Sequence, residues 1–332
     1  MPTTMRDVAL KAGVSIKTVS RVVNDSGEIS EATRQRVLVA IEELGYRPSR
    51  LARALVTQRS HTVGLLVADI TNPFFPEVAR GVLDAAQTEG YNVFLCNTDG
   101  DPEQELHLLH SLADHAVDGI IIYPSYESGE YLQTFAGQYR PLVIVNYYHD
   151  QQGVSLVIVD HKRGAQLAVE HLIRQGHIAI GMLSGVRNPS LGKVRRIQGF
   201  KEALTAHGLP VVEEWIVANK EPTFADGYAS TRQLLSQHPQ ITAIFAYNDL
   251  LALGAIRACN DLGRRVPADC AIVGFDDIPW AATSIPTLTT VRVDKYLLGY
   301  QAMTRLLEML EQPELSFPPI CMDVELIIRE SA

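Results

Sequence analysis

From residue 61 onward, the sequence alternates short apolar runs with longer amphipathic stretches. The runs read VGLLVA, YNVFLC, DGIIIYP, PLVIVN, SLVIVD, HIAIGML, ITAIFAY, CAIVGF and LTTVRV, and we expect helices to begin near Pro73, Pro102, Lys162, Val194, Ala225 and Asp249. Apolar runs rich in β-branched residues and joined by helices are typical of parallel strands whose sheet is covered on both faces. Nine strands are many for one sheet, so the pattern predicts an α/β core of two Rossmann-like parallel sheets.

Two such sheets form two lobes, and a small molecule is expected to bind between them, at the carboxyl ends of the strands. Several polar or aromatic residues stand at the end of predicted strands or in the loops that follow them. They are Asn72, Phe74, Phe75, Asn146, Tyr147, Asn248 and Asp276. These residues are therefore candidates for a binding site, although Phe74 and Phe75 fit equally well as apolar core between the lobes.

The first 45 residues have helical periodicity instead. Thr4 can cap a helix with Asp7 at its third position, and Gly13 ends that helix. The next segment, SIKTVSRVVN, has valines on one face and cations, hydroxyls and an amide on the other, without a carboxylate. Two short helices joined by so tight a turn predict a helix-turn-helix, and a third helix from Ser30 to Gly45 completes a miniature core. A helical hairpin with a merely solvated polar face is the alternative.

Charge is distributed unevenly along the chain. The net charge of −9 over 332 residues argues by itself against a nucleic-acid binder. Residues 1–60, however, hold ten Lys and Arg against six Asp and Glu, whereas the remainder holds nineteen against thirty-two. A basic head remains attracted to phosphate, while an acidic body limits indiscriminate DNA binding.

Residues 4–60 resemble the headpiece of the LacI/GalR family of bacterial transcription regulators. The matching segments are TMRDVALKAGVS, KTVSRVVN, SEATR and GYRPSRLARAL. Residues 61–330 are similar to the family's two-lobed, periplasmic-binding-protein-like core. The resemblance implies a helix-turn-helix DNA-binding headpiece (1–46), a hinge-helix linker (47–60) and an effector-binding core (61–332). Lobe one would comprise about 61–160 and 294–321, and lobe two about 161–293 and 322–332, with crossings near Asp160, Val293 and Met322.

The same resemblance implies which residues contact DNA. Ser15, Ile16, Lys17 and Arg21 would enter the major groove, where Arg21 would read a guanine edge with two hydrogen bonds. Residues implied to hold phosphates are Thr4, Thr18, Asn24 and Ser30. The expected partner is a double-stranded palindromic operator. The chain has no additional heptad tail after VELIIRE, which favours a homodimer over a tetramer.

The linker segment SRLARALV has helical propensity but only two turns' worth of residues, so it should be marginal alone. One interpretation is an ordinary linker whose Leu55 packs on the body. The resemblance implies instead a hinge helix that orders on DNA, with charge from Arg50 and Arg53. Leu55 would then wedge between base pairs in the minor groove and bend the duplex.

Arg196, in RIQGF, matches the family's Arg-x-x-Gly-aromatic motif and would reach the cleft. An arginine, an aspartate and asparagines around aromatic rings can bind hydroxyls in pairs, so the first prediction is a sugar or sugar derivative. A nucleobase is second. Pro222 stands where relatives often have an aromatic residue, and Phe224 two positions on is the candidate stacking ring. Arg195 would favour a phosphorylated or acidic sugar, or else lie on a solvated helix face.

An enzyme and an exported sugar-binding protein are the rival classes. The sequence has no phosphate loop, no GxSxG elbow and no GxGxxG fingerprint. Four widely spaced cysteines without a CxxC pair favour buried free thiols, and we expect no catalytic residue, metal or cofactor. Without a signal peptide at MPTTMRDVAL or an apolar run long enough for a bilayer, we expect a cytoplasmic protein with no membrane partner. The sequence therefore predicts an effector-controlled transcriptional repressor.

Overall fold

The computed structural model describes residues 3–23, 26–46, 59–124, 130–139, 141–147, 154–186 and 190–332. The chain forms two compact units, Met1–His61 and Thr62–Ala332. We call the first the headpiece and the second the core. The predicted residues Asn24, Arg50, Arg53 and Leu55 lie outside the described ranges.

The described residues of the headpiece form three helices, α1 (Met5–Ala12), α2 (Ile16–Val23) and α3 (Glu31–Leu44). Thr4 and Asp7 form a reciprocal capping box at the start of α1, and Gly13 ends this helix in the left-handed conformation. The buried residues are Val8, Ala9, Ala12, Val19, Val22, Val37, Ala40 and Tyr46. The predicted helix-turn-helix with a third supporting helix is therefore confirmed.

Lobe one of the core is built on a six-stranded parallel sheet. Its strands are β1 (Thr62–Val67), β2 (Asn92–Asn97), β3 (Gly119–Ile122), β4 (Leu142–Val145), β5 (Val154–Val159) and β11 (Ile320–Met322). They lie in the order β2-β1-β3-β4-β5-β11. The accompanying helices are α4 (Phe74–Thr88), α5 (Pro102–Asp114), α6 (Glu130–Gln138) and α11 (Lys295–Glu311). Each strand pair is parallel, as the continuous apolar runs predicted.

Lobe two repeats this arrangement. Its strands are β6 (Ile180–Val186), β7 (Ile216–Asn219), β8 (Ala243–Ala246), β9 (Ala271–Asp276), β10 (Thr289–Val293) and β12 (Val324–Ile327), in the order β7-β6-β8-β9-β10-β12. Only the pairing of β12 with β10 is antiparallel. The helices are α7 (His161–Arg174), α8 (Leu191–Ala206), α9 (Phe224–Gln237) and α10 (Asp249–Asp261). The predicted class of two Rossmann-like sheets is confirmed.

The chain passes between the two sheets three times. The connections run from β5 to α7 through Asp160, from β10 to α11 through Asp294, and from β11 to β12 through Asp323. Three adjacent connections place both sheets with their carboxyl ends facing a common cleft. Lobes joined in this way can move as rigid bodies about the connections.

Helices α4 and α11 pack unusually closely in lobe one. A Cβ at Gly81 would lie 2.0 Å from the carbonyl oxygen of Tyr296, and a Cβ at Gly299 would lie 2.0 Å from that of Val78. The two glycines therefore let the backbones touch, which fixes the start of α11 on lobe one although the preceding strand belongs to lobe two.

None of the helices in the described ranges is long and apolar enough to cross a bilayer. The four cysteines are free. Cys259 and Cys270 are buried as expected, whereas Cys321 is exposed, because β11 is the edge strand of its sheet.

Candidate functional site

A cavity of about 890 Å³ lies between the two lobes, at the carboxyl ends of both sheets. Seven of the nine predicted effector residues line it, namely Asn72, Phe74, Phe75, Asn146, Arg196, Asn248 and Asp276. Doubly wound sheets bind ligands at this edge because the strand order reverses there and leaves a crevice.

The wall of lobe one is aromatic. The rings of Phe74, Phe75 and Tyr123 meet edge to face, with centroids 5.2 to 5.7 Å apart. Asn146 donates from its Nδ2 to the Tyr123 hydroxyl and accepts at Oδ1 from the Val159 backbone N–H. Phe74 and Phe75 are both buried and in the cleft wall, so the two alternatives for them are not exclusive.

The wall of lobe two is organised around Arg196, which is only 3% exposed. Its guanidinium carbon lies 3.7 Å from the centroid of the Phe275 ring and 4.3 Å from that of Tyr247. One terminal nitrogen donates to the Tyr247 carbonyl oxygen, and the other lies 3.4 Å from Oδ1 of Asp276. The Nε atom is buried and has no hydrogen-bond partner among the described residues, so it is a donor that a ligand could satisfy.

Asp276 is held in an unusual state beside this arginine. Its φ of 110° places a non-glycine residue in the left-handed half of the backbone map, a strain that is typical of functional sites. Burial raises the pKa of its carboxyl to about 6, although Arg196 and Lys295 both act to lower it. Asp276 therefore changes charge near neutral pH.

His161 lies behind Arg196 and was not anticipated from the sequence. Its Nδ1 lies 3.3 Å from the second terminal nitrogen of Arg196 and must act as the acceptor, since an arginine cannot accept. Burial and the arginine hold the pKa of His161 well below its usual range, so the ring stays neutral. Its position at the first residue of α7 gave no sequence signal, because a histidine there is equally compatible with a solvated helix end.

Asn248 lies at the start of α10. Its Oδ1 accepts from the Leu251 N–H and its Nδ2 donates to the Pro222 carbonyl oxygen, 3.0 Å away. The side chain thus caps the helix and fixes the cleft loop containing Pro222, which itself lines the cavity. The positive end of α10 faces the same cleft.

Two predicted residues lie elsewhere. Tyr147 is 3% exposed and packs in the lobe-one core, because strand alternation turns it away from the cleft side occupied by Asn146. Phe224 begins α9, is 47% exposed and does not line the cavity. The aromatic side chain of lobe two is instead Tyr247, directly after β8. Arg195 donates to Gln198 on its own helix.

The headpiece presents a separate candidate site on α2. Ile16, Lys17 and Arg21 are exposed there, and the Arg21 side chain lies against Gly27. Ser15 caps α2 by accepting from the Thr18 N–H, and the two hydroxyls are 2.9 Å apart. The further predicted phosphate contacts Thr4 and Ser30 stand immediately before α1 and α3. Three helix amino termini are thus brought into one small domain, and the positive ends of helices favour phosphate.

Over the described residues, no group of three or more His, Cys, Asp and Glu side chains is placed to hold a metal ion.

Two family models match the chain. Residues 4–49 match the bacterial regulatory proteins of the lacI family, and residues 60–321 match the periplasmic binding proteins and sugar binding domain of the LacI family. The chain belongs to the LacI family of bacterial regulators. It is a DNA-binding transcription regulator with a small-molecule effector, and not an enzyme.

Individual relatives agree with this assignment. The chain is 40% identical to a ribose operon repressor of Halalkalibacterium halodurans, over 99% of this chain and 97% of the relative. It is 35% identical to the HTH-type transcriptional repressor PurR of Mannheimia succiniciproducens, over 99% and 98%. The crystal structure of the lac repressor dimer bound to operator and the anti-inducer ONPF matches with a TM-score of 0.88 and 30% identity, covering 100% of this chain and 99% of that one.

Proposed function

We propose that this LacI-family protein is a homodimeric cytoplasmic repressor of palindromic operator DNA, controlled by a small neutral sugar in the cleft. The lobe-two wall carries the sugar assignment, since Arg196 and Asp276 present paired donors and acceptors beside aromatic rings. Such planar groups bind adjacent hydroxyls in pairs. The similarity to a ribose operon repressor supports an aldopentose, with ribose as the first candidate.

The charge of the cleft favours a neutral effector. The charged residues that line it are Asp69, Asp99, Glu221, Asp276, Arg196 and Lys220. Four carboxylates against two cations disfavour a phosphorylated or acidic sugar, because an anion would meet uncompensated negative charge. Arg195, the residue that suggested an anionic effector, is engaged by Gln198.

A nucleobase is the rival effector, and it needs an open aromatic face on which to stack. In lobe two, the Arg196 guanidinium covers one face of both Tyr247 and Phe275. Pro222 lines the cleft at the position where relatives often have an aromatic residue. This wall is therefore better suited to hydroxyl groups than to a planar base.

For DNA recognition we propose that α2 enters the major groove, with Ser15, Ile16, Lys17 and Arg21 at base edges. Phosphates would be held by Thr4, Thr18, Asn24 and Ser30. The exposure of Ile16, Lys17 and Arg21 on one short helix supports this placement. The lac repressor dimer on its operator supports two copies per site.

The proposed hinge helix is residues 47–60, between the DNA-binding domain proposed for residues 1–46 and the core. Arg50 and Arg53 would approach the backbone of the minor groove, and Leu55 would wedge into the base stack. Leu55→Ala should then reduce operator bending in a phased-bend gel assay while sugar binding stays the same. An unchanged bend angle would contradict the wedge.

The function is tested with the full-length protein in two steps. A thermal-shift screen compares aldopentoses, hexoses, ribose phosphate and nucleobases, because a ligand of the folded state raises the melting temperature. Operator binding is then measured with and without the positive compounds, on palindromes selected from a random DNA pool. We expect ribose or another aldopentose to raise the melting temperature and to change operator affinity. A response to nucleobases alone would favour the rival effector, and no DNA binding at low salt would contradict the DNA-binding role.

A further inference from the structure

Lys295 lies at the second crossing between the lobes and is 4% exposed. Its ammonium nitrogen donates to the carbonyl oxygens of Asp276 and Asp277, 2.8 Å from each, and lies 3.5 Å from that of Val293. It also lies 3.6 Å from Oε2 of Glu77. Lysine is a compact cation with three donors, so it can satisfy several carbonyls at one point.

These partners belong to different lobes. Asp276 ends β9, Asp277 follows it, and Val293 ends β10, so all three carbonyls lie in lobe two. Glu77 belongs to α4 of lobe one. Lys295 itself begins α11, which the close contacts at Gly81 and Gly299 fix on α4. A side chain anchored on lobe one therefore holds the strand ends of lobe two.

The carbonyls that Lys295 holds come from a strained segment. Asp276 and Asp277 have φ angles of 110° and 52°, and two consecutive non-glycine residues in this region persist only when their surroundings hold them. The Asp276 side chain is the one beside Arg196 in the cleft. Without the ammonium, the backbone of Asp276 would be free to relax and to turn its carboxylate away from the cleft.

We propose that Lys295, with Glu77, is a hinge clamp that positions Asp276 for the effector and links the arrangement of the lobes to occupation of the cleft. The clamp is the Lys295 ammonium, its three carbonyl partners and the Glu77 carboxylate. Its role in effector binding rests on the proposed function, whereas its role in holding the crossing does not. Lys295 is a positioning residue, because it acts on the effector through Asp276.

The chain supplies a matched control. Lys162 also lies in the first turn of a helix that follows a crossing, and its ammonium pairs with Glu202 at 2.9 Å. Both of these residues lie on lobe-two helices, so this ion pair does not connect the lobes. Lys162→Met and Glu202→Gln therefore remove the same charges as Lys295→Met and Glu77→Gln without opening the clamp.

The first measurement needs no ligand. Hydrogen exchange of the full-length protein is followed in peptides spanning residues 276–281 and 293–300. Lys295→Met should speed exchange in both peptides about tenfold, and Glu77→Gln should do so about threefold, because a half-exposed ion pair contributes less than three buried hydrogen bonds. Lys162→Met should leave both peptides as in the wild type. Unchanged exchange in Lys295→Met would overturn the clamp whether or not any sugar binds.

The second measurement separates positioning from stability. Sugar affinity, and the ratio of operator affinities with and without sugar, are measured well below the melting temperature. Lys295→Met should weaken sugar binding about tenfold, because Asp276 loses its support, and should shrink the ratio, because the clamp couples the lobes to the cleft. Glu77→Gln should change both quantities about threefold. The positioning role would be overturned if the melting temperature fell while sugar affinity and the ratio of operator affinities both stayed within twofold of wild type. If Lys295→Met does not fold, the Glu77→Gln variant alone tests the positioning role. The Glu77 side chain is 40% exposed, so the fold should tolerate loss of its charge.

If the wild-type protein binds none of the sugars, the proposed effector class is wrong, and the exchange measurement still tests the clamp.

Discussion

Ile16, Lys17 and Arg21 lie exposed on one helix of the headpiece, whereas Arg196, Asn248 and Asp276 are buried in the cleft and bonded to each other or to main-chain atoms. An exposed side chain loses only its own contact when it is removed. A buried one also leaves its partners unsatisfied, at the cost of their desolvation. Substitutions in the cleft should therefore cost more free energy than substitutions on the headpiece surface, and their effects should be less additive.

Arg196→Ala should give the largest effect, a loss of sugar affinity of about 100-fold, or roughly 3 kcal/mol. The substitution removes the guanidinium hydrogen-bond donors from the cleft, and it leaves the buried Asp276 carboxylate without the arginine that pairs with it. Isothermal calorimetry on the dimer measures the affinity, and operator binding without sugar should persist. Arg195→Ala, next to it on the same helix, is the control and should bind sugar normally. Equal losses in both variants would contradict the distinction between buried and solvated arginines.

Arg21→Ala should weaken binding to the selected operator by about 1–3 kcal/mol and weaken binding to random DNA much less. An exposed arginine that reads a base edge contributes mainly to discrimination. Fluorescence anisotropy on both DNAs measures the difference, and Arg36→Ala, which removes the same charge from α3, should lower both affinities alike. If Arg21→Ala also lowers both alike, the residue is only a phosphate contact.

Sugar affinity should fall about tenfold per pH unit below pH 6, because the Asp276 carboxyl has a raised pKa of about 6 and must be ionised to accept hydroxyl hydrogen bonds. The pKa of His161 is held well below its usual range by burial and by Arg196, so protonation of this ring is disfavoured. Asp276→Asn should bind less tightly and show a flat profile between pH 5 and pH 7.5. A profile that stays steep in this variant would assign the titration to another group.

The same raised pKa has an opposite effect on stability. The folded state holds the Asp276 proton more tightly than the unfolded chain, so this carboxyl stabilises the fold below its ordinary pKa near 4. That contribution is lost as the pH rises through about 6.

Thr4→Ala should give the smallest effect, a loss of about 1 kcal/mol in the stability of the headpiece, since it removes one half of the capping box with Asp7. Thr4→Ser keeps the hydroxyl and should stay near wild type. Urea denaturation followed by circular dichroism measures both variants. A loss of unfolding free energy as large as the roughly 3 kcal/mol of binding free energy expected for Arg196→Ala would contradict the view that an exposed headpiece residue loses only its own contact.

Local patterns were sufficient to predict most of the elements. The apolar runs predicted nine strands, and the cap residues Thr4 and Gly13 marked α1 correctly. The sequence pattern missed β7, β11 and α6. Strand β11, ICM, has only three residues, and in β7, IVAN, two β-branched residues are followed by Ala218 and Asn219, so neither forms a long apolar run.

The cleft was predicted in part. Residues directly after a strand were found because parallel strands end at one edge, and seven of nine indeed line the cavity. Tyr147 packs in the lobe-one core and does not line the cavity, and a residue's distance from the strand end does not tell which face it occupies. Tyr123 and Tyr247 were missed because the predicted runs DGIIIYP and ITAIFAY included them, whereas both directly follow the observed strands β3 and β8.

The sequence by itself determined the class of fold, the family and the helix-turn-helix, because these depend on periodicity, caps and short motifs that act within a few residues. Only the tertiary structure brought His161 behind Arg196 and Lys295 onto the carbonyls of Asp276 and Asp277. These contacts join residues from 18 to 35 positions apart, across crossings whose geometry is set by the packing of whole lobes. Such packing is a collective property of the buried surfaces, and no local pattern encodes it.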